Sequence, residues 1–272
     1  MMRFHHFVPS PPLSRFAELF WLYEGYAPAH ARERLLPMGT SELVINLLDD
    51  AFDVYAQDGR LVDRQPGAII SGPYSEFCVL DTSQQQSIIG VHFRPGGAFP
   101  FLGMPAAEIQ DRQLSLDELW GRAASELRER LLAAPTPDAK FRLLEQALLA
   151  RVSAPLERHP AIAFALREFT ARPHRAISAV TDQLGMSARH FNTLFRNEVG
   201  LAPKLFSRIR RFHDVVHRVA MKDDVDWADV AHDCGYFDQA HFINDFRAFS
   251  GLTPTAYLTQ RSEHLSHVPM PD

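Results

Sequence analysis

The sequence predicts a two-domain α+β chain: a mostly-β N-terminal domain, a pair of helices, and an all-α C-terminal domain of two helix–turn–helix units joined by a long helix. Three observations carry this. Short apolar runs separated by turn signals fill residues 1–113, the apolar spacing switches to the helical period at Ser115, and residues 160–258 hold an internal repeat. A length of 272 residues suits two domains. The divisions expected are 1–113, a helical pair over 114–157, the helical domain over 158–262 and a tail over 263–272. With 46 % hydrophobic and 22 % charged residues the composition is ordinary globular usage, which excludes wholesale disorder. No run approaches the ~18 apolar residues of a membrane span, and the start lacks a signal-peptide core. Two cysteines, Cys78 and Cys234, make neither a disulfide framework nor a thiolate zinc cage, so both are read as core residues of a cytoplasmic, non-membrane protein.

In the N-terminal part, Thr40–Leu48 is β-rich. Phe52–Tyr55 meets the hairpin signal Asp58-Gly59 before Leu61-Val62, and further short strands are expected at Ala68–Ile70, Phe77–Leu80 and Ile88–Phe93. Such spacing suggests a sandwich or barrel. From Ser115, Leu116, Leu119, Trp120, Ala123, Leu127 and Leu131 recur at helical spacing behind a Ser115/Glu118 capping box. Pro135–Asp138 ends that helix and opens another, with Phe141, Leu144, Leu148 and Val152 on one side. Their apolar faces suit either a seal against the barrel or a homodimer seam.

Further on, Ile177, Val180, Leu184 and Gly185 match Trp227, Val230, Cys234 and Gly235 at an offset of 50; Phe191, Phe195, Gly200, Leu201 and Pro203 match Phe242, Phe246, Gly251, Leu252 and Pro254 at 51. Each unit is a short helix ending in Gly, then a helix capped by Ser187 or Asp238 and ending in Gly-Leu-x-Pro. The charge is uneven. Residues 1–157 hold 14 basic and 20 acidic side chains, 158–220 hold 11 and 4, and 221–262 hold 3 and 7. A basic block inside an acidic chain points to an anionic partner for that block, nucleic acid first. With Phe191, Leu194, Phe195 and Val199 inward, the opposite helix face carries Arg189, His190, Asn192, Thr193 and Arg196. These are groups that read base edges: forked Arg for guanine, Asn for adenine, a Thr methyl for thymine. Lys204, Arg208 and Arg211 on the next helix suit phosphates. The second unit offers Gln239, His241 and Asn244 for bases and Arg247 for phosphate, flanked by Asp238 and Asp245.

Ala176–Leu258 resembles the DNA-binding domain of the AraC/XylS family of bacterial transcriptional regulators. The resemblance rests on Val199-Gly-Leu-Ala-Pro-Lys204, Arg210-Arg-Phe212, Val230-Ala-His-Asp-Cys-Gly-Tyr-Phe-Asp-Gln-Ala-His-Phe242 and Gly251-Leu-Thr-Pro-Thr-Ala-Tyr257. It implies Ser187–Val199 and Asp238–Phe249 as recognition helices, with double-stranded promoter DNA and RNA polymerase as partners and no cofactor. The sequence departs from the family at Asn244, where many members are basic, and in the acidic run Asp223–Asp226. The N-terminal half resembles, more loosely, the family's sensor domains through Leu36-Pro-Met-Gly39, Glu42–Leu47, Gly72-Pro73 and Gly90–Gly96. This implies a cupin-like barrel for a small-molecule effector and helices for a homodimer.

Trp21, Tyr23, Phe52 and Tyr55 are the candidate effector-lining residues, with hydrophobic core as their other reading. His213-x-x-x-His217 has helical metal spacing without further ligands, and His92 without a His-x-His partner reads as a hydrogen-bonded histidine, so no metal is expected. No Gly-x-Ser-x-Gly or His-Glu-x-x-His frame is present. The alternative to a regulator is a small-molecule-modifying barrel enzyme carrying the helical domain.

Overall fold

The structure is a computed structural model that describes residues 2–222 and 224–271; Asp223 of the acidic run lies outside the described residues. The N-terminal strands are β1 (Arg3–Phe7), β2 (Ala17–Glu24), β3 (Arg32–Leu35), β4 (Glu42–Asn46), β5 (Ala51–Tyr55), β6 (Leu61–Pro66), β7 (Ala68–Ser71), β8 (Cys78–Asp81), β9 (Ser87–Phe93) and β10 (Gln113–Ser115). One further strand, β11 (His267–Pro269), comes from the far end of the chain. The predicted barrel does not close. Two sheets form instead, in the orders β1-β2-β9-β4-β7-β10 and β11-β3-β8-β5-β6. Asn46 is one reason: its Oδ1 accepts from the N–H groups of Leu48 and Asp49 at 2.9 and 2.8 Å. That local turn ends β4 in the first sheet before β5 begins in the second. The Asp58-Gly59 hairpin forms as expected, closed by Ala56 N–H donating to Arg60 O at 2.9 Å.

Alternation then sets what each face of the first sheet does. Phe20, Leu22, Leu43, Ile45, Ile89, Val91 and Phe93 point to one side, onto a core shared with α1 (Phe99–Leu102), α2 (Leu116–Trp120), α3 (Arg122–Ala133) and α4 (Pro137–Ala150). The single helix expected over 116–131 is broken at Gly121, whose backbone (φ 59, ψ −146) no helix can contain. Leu127, Leu131, Phe141, Leu144 and Leu148 are buried in this core, and Phe141 stacks on Phe7 at 5.9 Å. The stripe therefore seals the sheet. Val152, expected on it, falls beyond the end of α4 and is exposed.

The C-terminal helices are α5 (Pro160–Ala171), α6 (Ile177–Leu184), α7 (Ala188–Val199), α8 (Pro203–Val219), α9 (Trp227–Asp233), α10 (Gln239–Ser250) and α11 (Pro254–Gln260). Phe191, Phe195, Phe206, Phe212, Phe242, Phe246 and Tyr257 fill their common core, each fully buried. Leu36, Phe77 and Val79 of the N-terminal domain belong to the same cluster, so the two domains share apolar interior. Gly200, the C-cap of α7 at φ 89, sits on this contact. A Cβ there would come within 2.6 Å of Pro73 Cγ and 3.0 Å of the Ala106 carbonyl oxygen. No described helix is long and apolar enough to cross a membrane.

His213 of α8 is buried in this junction and donates from Nε2 to the Pro37 carbonyl at 2.7 Å. Burial, reinforced by Arg210 and His217, pushes its pKa down to about 4. A histidine held neutral in the fold and free to protonate when unfolded stabilises fully above its ordinary pKa. That contribution is lost as pH falls from about 6.5 toward 4. His213 should therefore withdraw on the order of 1 kcal/mol of stability between pH 7.5 and 5.5. Denaturant unfolding of wild type and His213→Gln at both pH values checks this. The difference between the two proteins should shrink by that amount at pH 5.5, and an unchanged difference would count against a buried neutral imidazole.

Candidate nucleic-acid interface

In α7, Ser187 caps the N-terminus by accepting from His190 N–H at 3.3 Å, which fixes where the helix begins and hence which residues face out. Phe191, Phe195 and Val199 turn inward, Phe195 meeting Phe169 at 6.0 Å and Phe206 at 5.7 Å. Arg189, His190, Asn192, Thr193 and Arg196 are all exposed on the other face. Thr193 Oγ1 donates to Arg189 O at 3.1 Å, so its hydroxyl is already used within the helix. In the second unit Asp238 caps α10, accepting from His241 N–H at 2.7 Å; Gln239, Asn244 and Arg247 are exposed and His241 is half-buried.

Asp245 does not flank that polar face. It is 3 % exposed and holds the two units together. Arg208 reaches it with Nη2 at 2.7 Å and Nε at 3.2 Å, Arg211 stands 3.8 Å away, and His241 lies at 3.7 Å. Arg211 also donates to Gly235 O at 3.0 Å and stacks over Tyr236, while Arg208 lies over Phe249. Beside this joint an open cleft of about 500 Å³ runs between α6, α8 and α10, lined by His174, Arg175, Lys204, Arg208 and Arg211 among others. His174 and Arg175 are missed by pattern reading. Their signal was a basic dipeptide just before the first turn of α6, inside the basic tract.

A second cavity, about 410 Å³, lies between the two sheets. Trp21, Tyr23 and Phe52 line it; Tyr55 does not, because its hydroxyl donates to Asp81 at 3.0 Å and Arg32 covers its ring. His92 lines it too, with Nδ1 2.6 Å from Glu42 Oε1. Burial alone would lower the His92 pKa, but the bond and charge of Glu42 hold it above its ordinary value. In a smaller adjoining pocket Glu33, 2 % exposed, is met by His267 at 2.7 Å, Tyr26 at 3.0 Å and His30 at 3.2 Å. Burial alone would raise its pKa; these three partners bring it below the ordinary value. His264, Leu265, Ser266 and His267, which follow the last helix, complete the wall.

Residues 180–260 match a family described as a helix-turn-helix domain. The C-terminal third is a helix-turn-helix domain. Residues 5–115 match a family described as a domain of unknown function. Solved structures similar to the chain include two of ToxT from Vibrio cholerae strain SCE256. An apo single-substitution variant is 9 % identical, covering 88 % of this chain and 97 % of that one at a TM-score of 0.46. The wild type with unsaturated fatty acid is 6 % identical, over 88 % and 94 %, also at 0.46. The C-terminal domain of AraT, a response regulator from Geobacillus stearothermophilus, is 18 % identical over 39 % of this chain and 91 % of its own, at 0.35. No curated protein sequence matches. In this helix-turn-helix domain, then, Lys204 and Arg247 stand exposed, whereas Arg208 and Arg211 are engaged with Asp245.

Proposed function

We propose that the protein is a sequence-specific DNA-binding regulator of transcription whose DNA affinity is set by a small molecule in the N-terminal cavity. The observation that carries the DNA half is the exposed set Arg189, His190, Asn192, Thr193 and Arg196 on a helix whose other face is fully buried aromatic core. Those five side chains are exposed, Thr193 alone spending its hydroxyl on the helix backbone, and they are of types that contact base edges. Lys204 and Arg247 serve phosphates, joined by the basic cleft beside α6. Arg208 and Arg211 serve chiefly by fixing α8 to α10 through Asp245.

The effector half rests on the tail. The strand β11 leaves the DNA-binding domain, pairs with β3 of the sensor sheet and walls the cavity. A molecule that presses on this wall presses on a segment covalently continuous with α11, which is how occupancy reaches the DNA-binding face.

Selection of bound duplexes from a random pool by the full-length protein tests the reading; recovery of no common sequence would refute it. On the selected site Arg196→Ala or Arg189→Ala should lose ~1–3 kcal/mol and relax base choice, while Asn244→Ala should cost less. Lys204→Ala should weaken all duplexes alike and flatten the salt slope, since a phosphate contact carries no sequence information. Titrations on cognate and scrambled duplexes at two salt concentrations separate these outcomes.

A further inference from the structure

The faces of β2, β4 and β9 that miss the helical core look into the gap between the sheets. The sequence fills them with aromatic rings and acids. Trp21 and Tyr23 lie 5.4 Å apart, tilted by 59°, and Trp21, Phe52, Ile69 and Ile88 form a small buried cluster of their own. Room for the indole is made by Gly90 on the neighbouring strand, where a Cβ would fall 2.5 Å from Trp21 Cζ2. The backbone has been kept bare there so that a large ring can stand at the cavity wall.

Among the described residues the lining holds four carboxylates, from Glu18, Glu42, Asp53 and Asp81, and neither lysine nor arginine. The partners of three of them are known: His92 for Glu42, Arg64 at 3.5 Å for Asp53, and the Tyr55 hydroxyl for Asp81. Arg64 is itself 72 % exposed. Histidine and phenol are weak counter-charges, so the cavity keeps a negative potential. The Tyr23 phenol registers it, its pKa raised by burial and further by Glu42 and Glu33. A site built for a carboxylate or phosphate presents guanidinium or ammonium donors. This one presents the reverse: π-faces and acids, the pair of features that hold a desolvated organic cation.

We infer that the cavity takes a hydrophobic ammonium ion, an amine or quaternary ammonium with an apolar body, held between Trp21, Tyr23 and Phe52 with Glu42 as its counter-charge. This rests on the reading of the cavity as the effector site. A volume near 410 Å³ accommodates a molecule of drug-like size. Glu42 exchanges its histidine partner for the ligand's ammonium group.

The test compares three probes of like size on the full-length protein by tryptophan fluorescence: benzyltrimethylammonium, its uncharged carbon isostere neopentylbenzene, and the 4-phenylbutanoate anion. The cation should bind roughly tenfold or more tighter than the isostere, and the anion most weakly. Glu42→Gln should cut the cation's affinity several-fold and leave the isostere unchanged, with thermal unfolding confirming that the variant folds. Equal or tighter binding of the isostere or the anion, abolished by the cavity-filling variant Val44→Trp, overturns the ligand class while leaving the cavity a ligand site. Binding by none of the three overturns both.

Discussion

Asp245→Ala is expected to lower stability by about 3 kcal/mol, more than any single DNA-facing substitution, although Asp245 touches no DNA in the proposed reading. The carboxylate is buried and answers two guanidinium groups, Arg208 in a forked bond and Arg211 at 3.8 Å. Removing it leaves both cations at the joint of α8 and α10 without a counter-charge, which is the costly way to break a buried pair. Arg208 is one-third exposed, so water takes up part of the loss and holds the figure at the low end of the range for such pairs. Urea unfolding measures it. The double variant Arg208→Met/Asp245→Leu should recover most of the stability, because neither charge then needs desolvating. A loss under ~0.5 kcal/mol for Asp245→Ala would mean the link behaves as a surface ion pair.

This joint also shows where sequence reading stops. The polar face of α7 was legible because its period is that of one helix: Phe191, Phe195 and Val199 had to face inward, and the exposed polar set was what remained. The same logic put Arg208 and Arg211 on DNA and Asp245 beside it. In the fold both also meet a carboxylate up to 37 residues away, a contact that forms only after the two repeats fold against each other. An arginine on a polar face carries no local mark of whether it waits for phosphate or already has a carboxylate. Trp21 and Tyr23, two apart on one strand, share a face by alternation, and that face lines the cavity. Tyr55 does not line it, because it sits at a β-bulge after Val54 and its hydroxyl is taken by Asp81. Strands β3 and β11 escaped notice altogether. Arg32–Leu35 is charged at three of its four positions and His267–Pro269 is three residues long, so neither shows alternation. β3 becomes a strand by pairing with β8 on one side and β11 on the other, and β11 by pairing with β3.

The pairing of β11 with β3 sets the second large effect. A chain ending at Ser262 should lose about 3 kcal/mol of stability and its response to any cavity ligand, while still binding DNA. Val268 is fully buried, and its removal alone returns on the order of 2 kcal/mol of apolar surface to water. With it go the ladder to β3, the Leu36 N–H to Ser266 O and Met270 N–H to Arg32 O bonds, and the His267 partner of buried Glu33. Glu33 keeps Tyr26 and His30, so its carboxylate is not orphaned and the sheet survives. The DNA-binding domain is anchored upstream of the cut: Tyr257 is buried in its core, and Arg261 donates to Val219 O at 2.7 Å and Lys222 O at 2.9 Å. Affinity for the selected duplex should thus stay near that of the ligand-free full chain. What disappears is the wall made by His264, Leu265, Ser266 and His267, and with it the only segment that both lines the cavity and continues from α11 among the described residues. DNA titrations of both chains, with and without saturating benzyltrimethylammonium, decide the point. If the shortened chain shifts its DNA affinity with the probe as far as the full chain does, coupling runs through the shared core around His213 and Gly200 rather than through the segment carrying β11.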